Sequence, residues 1–247
     1  MLINETLSKL RDMKLSTMAK VLQQQLDMRA TMELSFEDLF GLIVDAEWAT
    51  RKSNRLKQLI RQAGYSIPSA CLEDIEYSSG RDLDRSTIAR LSTCEFIYHN
   101  RDVVIKGPTG SGKTFLACAL GIAANRSNYA VRYVRMSDML HELALAQAEG
   151  YFTKVIRQYK LVRVLIIDEW LLGSLRGEDA RNLLDIIDAR HNKASTIFCT
   201  QIDIQGWHSR IGDIAYADAI CDRVAHSSYT ISITGESMRK LKGVKQE

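Results

Sequence analysis

The sequence predicts an α/β fold, in which a five-stranded parallel sheet flanked by helices follows a small all-helical domain. From about residue 100 onward, five short apolar runs alternate with helix-like segments, which is typical of a parallel sheet. Residues 1–64 contain no proline, and their apolar residues recur mostly at spacings of three and four, which indicates amphipathic helices. We therefore expect a helical N-terminal domain over 1–64, a connector with a lead-in helix over 65–99, and an α/β domain over 100–247.

Length and composition are those of a folded chain. The 247 residues are 46% hydrophobic and include 33 basic and 30 acidic side chains, which gives a net charge of +3. This charge is too small to indicate a nucleic-acid partner without regard to where it lies. The cysteines form no C-x-x-C pair, so neither a disulfide framework nor a zinc site is indicated. Without a signal peptide or an apolar run of about 20 residues, we expect a soluble, cytoplasmic protein with no membrane partner.

The N-terminal domain is predicted to end in a strongly basic helix. Ser35 and Asp38 form the capping-box pattern that would begin this helix. Between residues 51 and 64 the chain has basic but no acidic side chains, namely Arg51, Lys52, Arg55, Lys57 and Arg61. Like charges four residues apart destabilise a helix unless an anion neutralises them. The stretch therefore indicates either contact with a DNA phosphate backbone or a solvated helix face, and it favours neither by itself.

The connector has the composition of a domain boundary. It contains Pro68, an acidic stretch at 73–76 and a turn-prone Ser-Ser-Gly sequence at 78–80. A helix over 86–96 is expected to lead the chain into the first strand of the sheet.

The most specific motif lies between the first predicted strand, 103–106, and the helix that follows it. Residues 107–114 read Gly-Pro-Thr-Gly-Ser-Gly-Lys-Thr and match the phosphate-binding pattern G-x-x-x-x-G-K-[ST]. The glycines allow successive backbone N–H groups to point at one anion. We expect Lys113 to reach the β- and γ-phosphates of a nucleotide, and Thr114 to offer its hydroxyl to Mg²⁺. The predicted nucleotide-binding residues are Gly107, Pro108, Thr109, Gly110, Ser111, Gly112, Lys113, Thr114 and Phe115.

Polar residues at the ends of later strands complete the predicted catalytic site. The apolar run at 161–167 is followed by Asp168, expected near Mg²⁺, and by Glu169, expected to hold and polarise an attacking water. An acidic pair can also be a helix cap, but the phosphate loop upstream favours catalysis. The strand at 195–201 ends in Thr200 and Gln201, either of which could orient the water beside the γ-phosphate. The other strands are predicted at 129–134 and 229–233.

Two arginines are candidates for stabilising phosphate charge. Arg223 ends a helical segment that starts at Asp218, and Arg239 follows the last strand. From the residues alone, each is either a phosphate-binding cation or a surface charge.

With these elements the sequence resembles the IstB-like ATPases, which are transposition helper proteins of insertion sequences and relatives of the helicase loader DnaC in the AAA+ superfamily. The likeness includes residues 15–20, the phosphate loop, the acidic pair and the strand end at 199–201. Its most specific parts are the Asp-Arg pair at 222–223 and the Gly-Glu-Ser-Met-Arg sequence at 235–239. Trp170 is a departure, because the family more often has a small or aliphatic residue there.

The resemblance implies an AAA+ ATPase domain with a P-loop core over 100–247. The lid of larger AAA+ proteins is expected to be absent or vestigial, because the chain ends soon after Arg239. The resemblance assigns Arg223 as an arginine finger that acts on a neighbouring subunit's ATP, and Arg239 as an arginine that contacts the γ-phosphate in its own subunit. It places the polar sensor at Thr200 or Gln201.

The implied cofactors are ATP and Mg²⁺. With ATP bound between subunits, the protein is expected to assemble into a ring or a helical homo-oligomer. The implied partners are duplex DNA, contacted through the basic helix, and a cognate transposase. The competing hypothesis is a DnaC-like replicative helicase loader, whose N-terminal domain would hold a hexameric helicase instead of DNA. A metabolic kinase is less well supported, because no small-substrate site is evident and Arg223 would have no role.

Overall fold

The computed structural model describes residues 2–27, 34–77, 80–175, 177–226, 228–235 and 238. The chain divides into two compact units, Met1–Gln58 and Leu59–Glu247. Within the described ranges, no helix is both long enough and apolar enough to cross a lipid bilayer.

The first unit is helical, as predicted. Its helices are α1 (Leu2–Asp12), α2 (Ser16–Asp27) and most of α3 (Phe36–Ala63). The Ser35 hydroxyl accepts the N–H of Asp38 at 3.2 Å and donates to its carboxylate at 2.7 Å, so these two residues begin α3. The Glu47 carboxylate accepts the N–H groups of Thr17 and Met18 at 3.0 and 3.1 Å, which joins α3 to the first turn of α2.

The second unit is built on one parallel sheet in the order β2-β3-β4-β1-β5. The strands are β1 (Asp102–Lys106), β2 (Val131–Arg135), β3 (Val164–Trp170), β4 (Ser195–Thr200) and β5 (Ser228–Ser232). Every neighbouring pair in this sheet is parallel, which confirms the predicted architecture. All strands therefore end at the same edge, which we call the carboxyl edge.

Helices cover both faces of the sheet. One face carries α4 (Arg85–Ser92), α5 (Glu95–Tyr98) and α6 (Lys113–Arg126), and the other carries α7 (Met136–Ala148), α8 (Phe152–Leu161), α9 (Gly177–Arg190), α10 (Ile204–Ile211) and α11 (Ile214–Ala225). Alternate residues of β3 face the two layers. Val164 and Ile166 pack in the α6 layer, whereas Leu165 and Ile167 pack in the α7–α11 layer.

Several predicted bounds are wrong. The apolar run at 161–167 was predicted to be a strand, but Leu161 ends α8 and β3 begins only at Val164. The boundary is hidden in the sequence because the apolar run continues directly from an amphipathic helix. The lead-in helix at 86–96 is interrupted at Cys94, whose φ of 64° is left-handed, so α4 and α5 are separate. Helix α11 begins at Ile214 rather than Asp218. Helices α8, α9 and α10 were not predicted.

The predicted connector takes part in the core of the second unit. Tyr65, Ile88 and Phe96 are buried in the α6 layer. The phenol of Tyr65 donates to the side-chain oxygen of Asn125 in α6 at 2.8 Å. Residues 65–99 therefore pack as part of the α/β unit.

A buried arginine joins α9 to the amino end of β4. Arg190 is 1% exposed, and its Nε donates to the Thr196 hydroxyl at 3.0 Å. The guanidinium also donates to the main-chain oxygens of Tyr159, Val162 and Ser195, at 2.9, 2.7 and 2.5 Å. Burial lowers the pKa of Arg190 to about 10, and the nearby Asp102 charge opposes this shift. The side chain is therefore still charged at neutral pH.

Replacing Arg190 with methionine should destabilise the protein. The change removes the donor that these buried main-chain oxygens share, and each buried acceptor left without a partner typically costs about 1–3 kcal/mol. We expect the melting temperature, followed by circular dichroism, to fall by roughly 10 °C. Arg181→Met is the control, because Arg181 is exposed on the same helix. Equal melting temperatures for the two variants would show that the buried contacts do not stabilise the fold.

Candidate nucleotide-binding site

The phosphate loop, residues 107–112, joins the end of β1 to the start of α6. Gly110 and Gly112 have φ values of 78° and 97°, a region that strains other residues. A Cβ added at Gly107 would lie 2.5 Å from the Ile233 carbonyl oxygen, so a side chain would clash with main chain there. The loop and the N-terminus of α6 thus present backbone N–H groups at the carboxyl edge, which is a favourable arrangement for phosphate.

Lys113 lies against this loop. Its side chain is largely buried, and its ammonium donates to the Gly107 and Pro108 carbonyl oxygens at 2.8 and 2.9 Å. These contacts hold the charge beside the loop, where a phosphate oxygen would be a stronger acceptor.

Asp168 connects three elements at the carboxyl edge. It is 3% exposed, and its Oδ2 accepts the hydroxyls of Thr114 in α6 and Tyr133 in β2, at 2.7 and 2.8 Å. Its Oδ1 accepts the N–H of Glu169 at 2.9 Å. Burial and the neighbouring Asp168 charge raise the pKa of Tyr133, so its phenol stays protonated and donates.

The donor set at Thr114 and Asp168 suits Mg²⁺. This ion prefers oxygen ligands and commonly takes only one or two protein groups, with phosphate and water filling its other positions. The described part of the chain contains no group of three or more His, Cys, Asp or Glu side chains that could hold a metal. Thr114 and Asp168 are the residues we expect to hold the ion.

Glu169 follows Asp168 but is exposed, with a left-handed φ of 57°. Arg135, at the end of β2, lies nearby. A hydrogen bond to Tyr133 raises the pKa of Arg135, and the negative charge of Glu169 adds to this shift. Sequence reasoning missed Arg135, because it comes to lie beside the acidic pair only when β2 pairs with β3.

Thr200 and Gln201 differ in what they contact. The Thr200 hydroxyl is buried and bonds to the main chain of Ile202, at 3.2 and 3.3 Å. The Gln201 side-chain oxygen accepts the hydroxyl of Thr109, in the phosphate loop, at 3.1 Å. Of the two side chains, Gln201 is the one that contacts the loop residue.

A cavity of about 430 Å³ adjoins the loop, and sequence reasoning missed it. Its apolar lining includes Ile67, Ile75, Leu83, Leu116, Ile233 and Met238. Arg81 also lines it and donates to the main-chain oxygens of Ser111 and Glu76, at 2.7 and 2.6 Å. Burial lowers the pKa of Arg81. These residues form no linear motif, so only the fold brings them together.

The structure does not bring Arg223 to the phosphate loop of its own chain. Its guanidinium donates to Asp188 of α9 at 2.8 Å and to the Ala219 carbonyl oxygen at 2.9 Å. Both α9 and α11 end shortly before a strand begins, so Arg223 and Asp188 lie towards the amino edge of the sheet. The phosphate loop lies at the carboxyl edge. Arg239 falls outside the described residues.

The predicted basic residues Arg51, Lys52, Arg55, Lys57 and Arg61 are exposed on α3. Arg51 has a structural contact as well, because it donates to Glu47 at 2.7 Å and to the Lys14 carbonyl oxygen at 2.9 Å. The Lys52 ammonium lies 4.8 Å from the centre of the Trp48 ring. Arg61 belongs to the second unit and the other four residues to the first.

The strand order, the loop after β1 and the acidic pair in β3 together define a P-loop ATP-binding protein of the AAA+ type. More particularly, the chain belongs to the IstB-like ATP binding protein family, whose family model matches residues 8–246. This confirms the resemblance noted in the sequence.

Relatives of known origin agree with this assignment. An insertion sequence ATP-binding protein of Sinorhizobium fredii is 36% identical over 97% of this chain and 98% of its own length. The corresponding protein of insertion sequence IS1162 from Pseudomonas fluorescens is 39% identical over 82% of this chain and 87% of its own.

Among solved structures, DnaI matches 73% of this chain and 92% of its own, with a TM-score of 0.58 and 21% identity. AMPPCP-bound DnaA from Aquifex aeolicus matches 72% of this chain and 54% of its own, with a TM-score of 0.59 and 19% identity. At these identities the structural likeness shows the fold alone.

Replacing Lys113 with alanine should weaken ATP binding at least about tenfold, because a charged hydrogen bond contributes about 1.5–3 kcal/mol. Titration calorimetry with ATP and Mg²⁺ measures the change. Lys154→Ala, which removes an exposed lysine from α8, is the control and should bind like wild type. An unchanged Kd in Lys113→Ala would contradict a phosphate-binding role.

Proposed function

We propose that this protein is an ATPase that assists DNA transposition by assembling on target duplex DNA and activating a cognate transposase. The observation that carries this proposal is the position of Arg223 relative to the groups expected to bind ATP. The phosphate loop and acidic pair lie at the carboxyl edge of the sheet, whereas Arg223 lies towards the amino edge. The whole-length similarity to insertion sequence proteins supports transposition over helicase loading.

The carboxyl edge provides the groups for binding and hydrolysing ATP. Lys113 and the N-terminus of α6 stabilise the phosphate charge, and the apolar cavity beside Arg81 accommodates the adenine ring. Mg²⁺, held by Thr114 and Asp168, would supply further positive charge. Glu169 orients the attacking water and accepts its proton.

The contacts at the strand end favour one of the two sensor candidates. The Gln201 side chain accepts the hydroxyl of Thr109 in the phosphate loop, and this contact supports a role in sensing the nucleotide. Thr200 instead shapes the loop through its main chain, because its carbonyl oxygen accepts the Gly107 N–H at 3.2 Å. We therefore assign the sensor role to Gln201. Arg239 stays a prediction for the γ-phosphate.

Arg223 completes the site of a second copy. Because the two half-sites lie towards opposite edges of the sheet, copies must associate head to tail, and such contacts produce a ring or a helix. ATP bound at the interface stabilises the assembly by mass action. An arginine finger typically accelerates hydrolysis by about 10³–10⁵-fold.

Arg223→Ala should therefore lower ATP turnover by about 10³-fold while leaving the Kd for ATP of the monomer unchanged. Mixing Arg223→Ala with Lys113→Ala should restore part of the activity, since the second variant supplies an arginine to the intact loop of the first. Phosphate release measures turnover, and Arg157→Ala, an exposed arginine of α8, is the control. A mixture that co-assembles but stays inactive would contradict action between subunits.

The basic face of α3 is the proposed contact with DNA. Arg51 is unsuited to the test because its contacts with Glu47 and Lys14 make it structural. Lys52, Arg55 and Lys57 are exposed in the same unit and can be changed together.

Changing Lys52, Arg55 and Lys57 to glutamine should weaken duplex binding equally for all sequences. The slope of log K against log salt should fall by about 0.9 for each lost phosphate contact. Titrations of labelled duplex with ATP at several salt concentrations measure both effects. Changing Lys9, Arg11 and Lys20 to glutamine removes the same charge from exposed positions of the first unit and serves as the control. An unaltered slope, together with loss of binding to a replicative helicase, would favour the helicase-loader hypothesis.

A further inference from the structure

We infer that Trp170 is a positioning residue for Glu169, because its buried indole maintains a β-bulge that keeps the Glu169 carboxylate out of the core. This inference rests on the proposed role of Glu169 in orienting the attacking water.

The bulge is visible in the pairing of β3 with β4. Ile167 pairs with Phe198, and Trp170 pairs with Thr200. Between these two pairs β3 advances by three residues, whereas β4 advances by two. One extra residue therefore lies in β3 at positions 168–169. Glu169 and Leu171, on either side of Trp170, have left-handed φ values of 57° and 54°. Such values are uncommon for residues other than glycine.

The extra residue changes which layer each side chain faces. Leu165 and Ile167 face the α7–α11 layer. If the strand alternated regularly, Glu169 would enter the same apolar layer and Trp170 would face the α6 layer. In the structure Trp170 is instead in the α7–α11 layer at 1% exposure, and Glu169 is exposed. The extra residue therefore has two linked effects, the burial of Trp170 and the exposure of Glu169.

Aromatic packing stabilises this arrangement. The Trp170 ring lies edge-on to Phe198, with centroids 4.8 Å apart, and to Trp207 of α10, at 5.4 Å. Regular pairing would have to withdraw the indole from this cluster and bury the Glu169 carboxylate among apolar side chains. Both changes are unfavourable.

The indole acts through its shape. Among the described residues, no group accepts a hydrogen bond from the Trp170 Nε1. Phenylalanine should therefore replace tryptophan with little loss, whereas alanine would leave the bulge without its anchor.

The test compares Trp170→Ala, Trp170→Phe and the control Trp207→Ala in ATP turnover and ATP binding. Trp207→Ala removes an indole from the same cluster, but from α10 rather than from the bulge. For Trp170→Ala we expect kcat to fall by roughly 10- to 100-fold, as for a misplaced catalytic group, with an unchanged Kd for ATP. Trp170→Phe should restore most of kcat. Trp207→Ala should lower the melting temperature comparably but keep kcat.

All variants are assayed below their melting temperatures, and leucine replaces alanine at both positions if either alanine variant does not fold. Full kcat in Trp170→Ala would overturn the inference, as would equal losses of kcat in Trp170→Ala and Trp207→Ala. Glu169→Gln separates this inference from the proposed function. An active Glu169→Gln would overturn the role of Glu169 and this inference with it. An inactive Glu169→Gln beside a fully active Trp170→Ala would overturn this inference alone.

Discussion

The buried carboxylate of Asp168 is the contact on which the site depends. A carboxylate with so little access to water needs donors, and those from Thr114, Tyr133 and the Glu169 main chain meet that need. The same hydrogen bonds fix the start of α6 and the end of β2 relative to β3. The phosphate loop and Glu169, the residue proposed to orient water, are thereby held in fixed positions relative to each other.

The parts of the site that could be predicted from the sequence are those encoded by local spacing. The phosphate loop requires glycines at fixed positions between a strand and a helix, and all of them lie within eight consecutive residues. The acidic pair is equally local, because it follows an apolar run directly. The parallel sheet was predictable for a related reason, since apolar strands alternate with helical segments along the chain.

The remaining features depend on contacts between distant residues. Arg81 and Ile67 come from a segment that has the composition of a linker, and only folding places them beside the loop. The bulge before Trp170 adds one residue to a strand, and a hydrophobic pattern does not show where such an insertion lies. The structural role of Arg51 is hidden for the same reason, because its acceptor Lys14 lies in the turn between two other helices.

If Arg223 acts on a neighbouring copy, the number of complete ATPase sites differs between an open and a closed assembly. Under the proposed head-to-tail arrangement, each copy gives an arginine in one direction and offers a phosphate loop in the other. An open row then always has one loop at its end without a neighbour's arginine, whereas a closed ring has none. ATP at the end of an open row would persist longest, so that end of the row would be chemically distinct from its interior.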